Sequence, residues 1–303
     1  ALNKEARYVL FASMAVLVLI VSQVVFAQAP IRLQFNLKTG DVCSYALTNI
    51  GSSTVVIEGD TEAKKEAEMN MDLLFRWKVV KENEDGTLDV SITMLEGGGL
   101  VNDEPEEMGN IGKTVIMKLA RSGKIVDLGP EQMTADITKF QLEFPDKPLA
   151  IGDSWTVSEP LSKSYPVPLV GTFTFTGFER IDGYDCAVIE KKIKCRRLEQ
   201  LDDMIMEVDL QGKTYFAYRE GKMIRSELTS SMLLVMPVDA DLFSQESVGS
   251  DKKYESASKV TPDGAASGKS EEPLKITGSA AKMQMKLQLT TTLKLVKEDT
   301  KKN

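Results

Sequence analysis

Met69-Asn70-Met71-Asp72-Leu73-Leu74-Phe75-Arg76-Trp77-Lys78-Val79-Val80 is the stretch whose reading decides the fold. Met69, Met71, Leu73, Phe75, Trp77 and Val79 fall at alternate positions, with Asn70, Asp72, Arg76 and Lys78 among the residues between them. A period of two puts the apolar set on one face of an extended strand and the charged set on the other. That is the pattern of an antiparallel strand with one side in a core and one side in water. Asp85-Gly86 follows, and then a second apolar run, Leu88 to Met94. Asp-Gly between two such runs is a hairpin signal, because both turn positions of the tightest hairpin need φ > 0.

Working outward, the same layout recurs. Thr172–Phe178, Asp182-Gly183 and Ala187–Ile193 repeat the first hairpin, and Phe173 and Phe175 alternate with Thr172, Thr174 and Thr176. A second hairpin opens at Gly112-Lys113-Thr114 and turns at Gly123-Lys124. Its counterpart opens at Gly212-Lys213-Thr214 and turns at Gly221-Lys222. From Gly86 to Gly123 is 37 residues, and from Gly183 to Gly221 is 38, a spacing that favours two copies of one unit. Each copy opens on a related phrase, Leu37-Lys38-Thr39-Gly40-Asp41 and Leu149-Ala150-Ile151-Gly152-Asp153.

The expected fold is therefore mainly β, with two tandem related antiparallel units, as curved sheets or half-barrels, over 30–146 and 147–243. One or two short helices are expected beside them. Pro130 to Phe140, with Met133, Ile137 and Phe140 on one face, reads as a helix stopped by Pro145, and 237–244 as a shorter counterpart. Glu58 to Glu68 is dense in charge and reads as an extended loop or a charged strand edge. Residues 244–282, rich in Ser, Gly, Ala, Lys and Glu, read as a disordered insertion. After them Met283, Met285, Leu287, Leu289, Thr291, Leu293 and Leu295 alternate along a final strand, 283–299, that must return to the sheet. A strand of this length suits a long, strongly curved sheet.

At the N-terminus, Lys4 and Arg7 precede an apolar run from Val9 to Val25, and Ala27-Gln28-Ala29 supplies a small-x-small cleavage pattern. Residues 1–29 thus read as a signal peptide, or as an anchor if uncleaved, and place the protein outside a bacterial cytoplasm, in the periplasm or at the cell surface. The run of about 17–19 apolar residues lies near the lower limit for spanning a bilayer.

Composition narrows the chemistry. The 303 residues include no His, so a Ser-His-Asp triad, a Cys-His pair and a His-based zinc site are excluded. Lys and Arg number 37 against 45 Asp and Glu, and a net charge of −8 argues against nucleic acid as a partner. Three cysteines, Cys43, Cys186 and Cys195, allow at most one bridge, and three unlinked core thiols are an equal reading.

Candidate sites mostly fail on spacing. Taking Gly86 as the sixth residue of a calcium loop puts Lys81 and Ile92 where carboxylates are needed. Gly112-Lys113-Thr114 and Gly212-Lys213-Thr214 resemble a P-loop ending, but Glu107 and Glu207 stand where its first glycine belongs; both triplets read as strand starts. Asp103, Glu104, Glu106 and Glu107 read as a solvated acidic loop, and Asp182/Asp185 and Asp202-Asp203 as chance neighbours among many carboxylates. No catalytic residue, metal ligand or cofactor is assigned.

Fourteen methionines lean the other way, since flexible thioethers suit surfaces that accept varied apolar shapes. The candidate hydrophobic cavity comprises Met69, Met71, Phe75, Trp77, Met94, Met117, Met283 and Met285. An ordinary methionine-filled core is the competing reading.

Two phrases carry a resemblance. Phe35-x-Leu37-Lys38-x-Gly40-Asp41-x-x-x-Tyr45 and Phe144-Pro145-x-Lys147-Pro148-x-x-x-Gly152-Asp153-Ser154-Trp155 resemble an uncharacterised family of exported bacterial β-rich envelope proteins. That resemblance covers most of 31–243 and implies export and a β fold, with no catalytic positions. In shape, though not in motif, the expected fold is also similar to periplasmic half-barrel carriers of lipids and lipoproteins. The functional expectation is a non-catalytic envelope protein that binds a lipid, another hydrophobic molecule or an envelope protein, with membrane contact only through an uncleaved N-terminal segment. A purely structural or assembly role, and a His-free carboxylate hydrolase, are the alternatives.

Overall fold

A computed structural model of the chain describes residues 29–58, 63–106, 108–127, 142–160, 168–195, 205–239 and 280–296. It is built from β1 (Val42–Glu58), β2 (Ala63–Glu82), β3 (Leu88–Val101), β4 (Glu104–Glu106), β5 (Thr114–Leu119), β6 (Ile125–Asp127), β7 (Ser154–Pro160), β8 (Pro168–Ile181), β9 (Tyr184–Cys195), β10 (Ile205–Ala217), β11 (Lys222–Asp239) and β12 (Ala280–Val296). No helix occurs among the described residues. The expected helix at Pro130–Phe140, most of the N-terminal leader and most of the insertion before the last strand lie outside them.

The strands form a single antiparallel sheet in the order β6-β5-β3-β2-β1-β12-β11-β10-β9-β8-β7, with β4 beside β3. It is an open sheet whose edges are β6 and β7. Strands of the first half run outward from β1 and those of the second half outward from β11, so β12 is the seam between them. The expected return of the last strand is thus to the middle of the sheet. Its pairing with β1 runs from Ser44↔Val296 to Glu58↔Lys282. The edges are blunt, which limits strand addition: β6 has three residues and β7 ends at Pro160.

Alternation along the strands dictates what is buried. On β2, Leu73, Phe75 and Val79 are buried while Asp72, Arg76 and Lys78 are exposed or half-exposed, as the period of two requires. Against this inner face lie two extended segments, 31–37 and 142–149, bridged by Ile31 and Leu149. The first alternates like a strand, and its Leu33, Phe35 and Leu37 enter the core with Leu142, Phe144 and Leu149. Phe35 packs edge-on to Phe216 at 5.2 Å, and Phe144 does so at 4.8 Å. Backbone bonds fix the strap at both halves: Phe35 N donates to Arg121 O at 2.8 Å, and Asn36 N donates to Gly221 O at 3.3 Å. One aromatic core therefore packs these two segments against the inner face of the sheet. Cys43, Cys186 and Cys195 are buried, and no disulfide links them.

Several local expectations change. Asp182 and Gly183 both take positive φ, 50° and 87°, as a two-residue hairpin needs. At the first hairpin only Gly86 does; there the turn is wider, with Asn83 N donating to Thr87 O and Gly86 N to Asn83 O. Thr114 begins β5, but Gly212-Lys213-Thr214 lies within β10. That strand pairs with β9 and β11 on both sides of Gly212, so the ladder never breaks there. Pro237 to Asp239 extend β11, where their pairing with Lys282 to Ala280 keeps them in the ladder instead of a helix. The charged stretch from Glu58 to Glu68 is the end of β1 and the start of β2, with 59–62 outside the described residues.

Candidate functional site: the inner face beyond the core

Cross-strand register orders the inner face into rows. The row through Tyr45 joins Phe75 to Leu295, and the next joins Leu73, Leu47, Leu293, Ser226, Thr214, Ile189 and Phe175. Then come Met71, Asn49, Thr291, Leu228, Gly212, Lys191 and Phe173, followed by Met69, Gly51, Leu289, Ser230, Leu210, Ile193 and Gly171. The packed core ends at these rows, since Leu228, Leu210 and Ile193 belong to it or touch it.

Beyond them the strands continue, and their inward residues are apolar apart from Ser53. Ser53, Leu287, Met232 and Val208 form one row; Val55, Met285, Leu234 and Met206 form the next; Ile57, Met283 and Met236 form the last. All are half-buried and none belongs to the core. With Ser53 its one polar member among the described residues, a face of this kind offers a largely apolar surface. It can hold flexible hydrocarbon, and methionine sulfurs let it adapt to shape.

Two glycines let neighbouring strands approach closely between the packed end and this face. A Cβ on Gly51 would collide with the carbonyl oxygen of Gln288 and lie 2.7 Å from Leu289 Cδ2. One on Gly212 would collide with the carbonyl oxygen of Glu227 and lie 2.8 Å from Leu228 Cδ2. In each case a leucine from the neighbouring strand leans over the glycine, so the strands approach more closely than any larger residue allows.

The eight residues singled out by sequence separate into three groups. Phe75 and Met117 are fully packed core residues. Trp77 and Met94 are half-buried against the core, and the indole N–H of Trp77 is buried without an acceptor among the described residues. Met69, Met71, Met283 and Met285 are half-buried on the inner face at or beyond the core's limit, with Met71 touching the core. Sequence reasoning missed Val55, Ile57, Leu234 and Met236, whose signal was the near-continuous apolar runs Val55-Val56-Ile57 and Met232 to Met236. It also missed Asn49, Thr291 and Lys191, polar residues at inward positions.

Lys191 is 2% exposed, with its ammonium 5.7 Å from the centre of the Phe173 ring. The carboxylates weighed as an acid/base pair sit at the β8–β9 turn in ion pairs, Asp182 with Lys294 at 3.7 Å and Asp185 with Arg219 at 3.1 Å; Asp202 and Asp203 lie outside the described residues. Asp103 takes positive φ in a turn and Glu104 to Glu106 form the exposed β4. Burial pushes the Cys186 thiol up to about 11, so it stays protonated and unreactive at neutral pH.

No family model matches the chain, and no curated protein matches it in sequence. Among solved structures, the chain is similar to lipovitellin, in a structure of that protein's lipid–protein interactions, with 9% identity and a TM-score of 0.40. The match covers 86% of this chain and 25% of that one. The chain spans a quarter of that protein's length, and so loose an overlap transfers nothing between the two molecules.

Proposed function

We propose that this chain is a non-catalytic binding protein of the bacterial envelope, exported from the cytoplasm, whose inner face takes a hydrophobic ligand. The observation that carries the reading is the aliphatic continuation of the sheet beyond its own core, in the rows of Val55, Met285, Leu234 and Met206 and of Ile57, Met283 and Met236. A sheet that needed only to be stable would end where its core ends, because half-exposed apolar rows add little burial and invite association. A second ligand class, an envelope protein, is favoured by β11, whose Leu233 and Val235 face outward between the inward Met232, Leu234 and Met236. Strands apolar on both faces are those that other matter covers on both sides. Native mass spectrometry of the full chain purified without detergent separates the two. A lipid-sized adduct supports the carrier reading, a co-purifying polypeptide supports the protein partner, and a bare monomer that takes up nothing from lipid vesicles contradicts both.

A further inference from the structure

The inner face carries a polar break between the aromatic core and the aliphatic rows. Asn49, Thr291, Ser226, Thr214 and Lys191 are all buried and face inward, on the successive strands β1, β12, β11, β10 and β9. They occupy two adjacent rows. Thr214 and Ser226 bond each other at 2.9 Å. Asn49 and Thr291 differ. They are direct cross-strand partners, 8% and 6% exposed, and among the described residues neither side chain has a hydrogen-bond partner. Neither is among the fully enclosed side-chain atoms left without a partner, which among the described residues are Trp77 Nε1 and Arg225 Nε. The amide and hydroxyl therefore keep a narrow opening onto the inner face, where a ligand's acceptor can reach them.

Their surroundings say what that partner is attached to. Met71 and Leu228 flank the pair within its row, and Leu47 and Leu293 lie one row nearer the core. On the other side are Gly51, which has no side chain, and Leu289, where the aliphatic rows begin. The pair is thus the polar terminus of an apolar track.

We propose that Asn49 and Thr291 hold the carboxyl or ester carbonyl of a long-chain acyl ligand, whose chain runs over the aliphatic rows toward Ile57 and Met283. The inference rests on the hydrophobic-ligand reading and adds an orientation and a ligand class to it. An amide N–H and a hydroxyl O–H both donate, and a carbonyl oxygen has two lone pairs to accept them. The track is long enough for one chain. From Asn49 to Ile57 the strand rises about 26 Å at about 3.3 Å per residue. One acyl chain, filling about half of a hydrocarbon core of about 30 Å, needs about 15 Å of it.

The test titrates the full chain with hexadecanoate, methyl hexadecanoate and hexadecane delivered in cyclodextrin, using the wild type, the Asn49→Leu/Thr291→Val double variant and the Thr291→Val single variant. The wild type is expected to bind acid or ester at least tenfold more tightly than hexadecane. The double variant should bind all ligands alike, with the single variant between them and the urea unfolding midpoint equal or higher, since unbonded buried polar groups have been replaced. Acid alone among the tight binders assigns a free fatty acid; acid and ester together assign an esterified lipid. A wild type that does not discriminate against hexadecane, or a double variant that still does, overturns the assignment and leaves the hydrophobic-ligand reading standing. A wild type that binds none of the three removes that reading as well.

Discussion

The hydroxyl of Tyr45 donates a 3.2 Å hydrogen bond to the backbone carbonyl oxygen of Met223, joining strands that β12 separates. Tyr45 belongs to β1 and Met223 to β11, so the bond spans the seam between the two halves of the sheet. The ring lies 5.7 Å from Phe75 and 5.6 Å from Trp77, and Leu295 of β12 is its cross-strand neighbour. One side chain thus ties both halves and the final strand to the core.

Tyr45→Phe should therefore destabilise the fold by about 1 kcal/mol, because it removes a buried hydrogen bond without opening a cavity. Burial, with Cys43 adding to it, holds the Tyr45 phenol well above its ordinary value of 10.0. The folded state keeps that proton longer than the unfolded one, so this stability is complete below about pH 10 and is lost as the pH rises further. Urea unfolding at stepped pH should show a steeper alkaline decline for the wild type than for Tyr45→Phe. Parallel declines would deny the phenol this role.

The close approach at the glycines gives a second prediction. Gly51→Ala and Gly212→Ala each press a methyl group into a neighbouring carbonyl oxygen. Each should lower stability by about 1–3 kcal/mol, the usual range for overpacking. Gly98→Ala has nothing within 4 Å of the new carbon and should be neutral or stabilising by about 0.5 kcal/mol. Thermal unfolding of the three variants decides it, and equal midpoints would contradict the close approach at Gly51 and Gly212.

Cysteine labelling tests burial at the sheet's other face. Cys186 packs with Ala217 and Ile224 in a small cluster of its own. With its thiol pushed up to about 11 by burial, alkylation of the folded protein should rise about tenfold per pH unit toward that value. Mass spectrometry after timed iodoacetamide exposure follows this site by site. Rapid labelling at pH 8 would contradict the structure around Cys186.

Core and site should respond differently to substitution. Phe75→Ala removes a fully packed ring and should cost about 3–5 kcal/mol. Met285→Asp alters a half-buried residue outside the core and should cost about 1 kcal/mol or less while weakening ligand uptake. Chemical denaturation read beside binding separates the two effects. A collapse of stability in Met285→Asp would move that residue into the core.

Much of this was legible in the sequence. The faces of β2 and β12 follow from alternation alone, and Asp182-Gly183 announces its turn. Less legible was where the core stops. Phe75, Met117 and Met285 obey the same period, but only the strap of Leu33, Phe35 and Phe144 decides that the first two are packed and the third is not. The Asn49–Thr291 pair was hidden for a different reason. It depends on β12 pairing with β1, and register between opposite ends of a chain leaves no local mark. Gly212 looked like a strand start because its role, close approach to Glu227, needs the neighbouring strand to be seen.

The most direct measurement of the central claim is a fluorescence titration of the full chain with cis-parinaric acid, a fluorescent fatty acid, in the wild type and in Leu234→Asp/Met285→Asp. These two residues face each other across β11 and β12 on the inner face. The account predicts saturable binding at one site in the wild type, weakened at least tenfold in the double variant with its unfolding midpoint nearly unchanged. Absence of saturable binding in the wild type, or equal binding by both proteins, would contradict it.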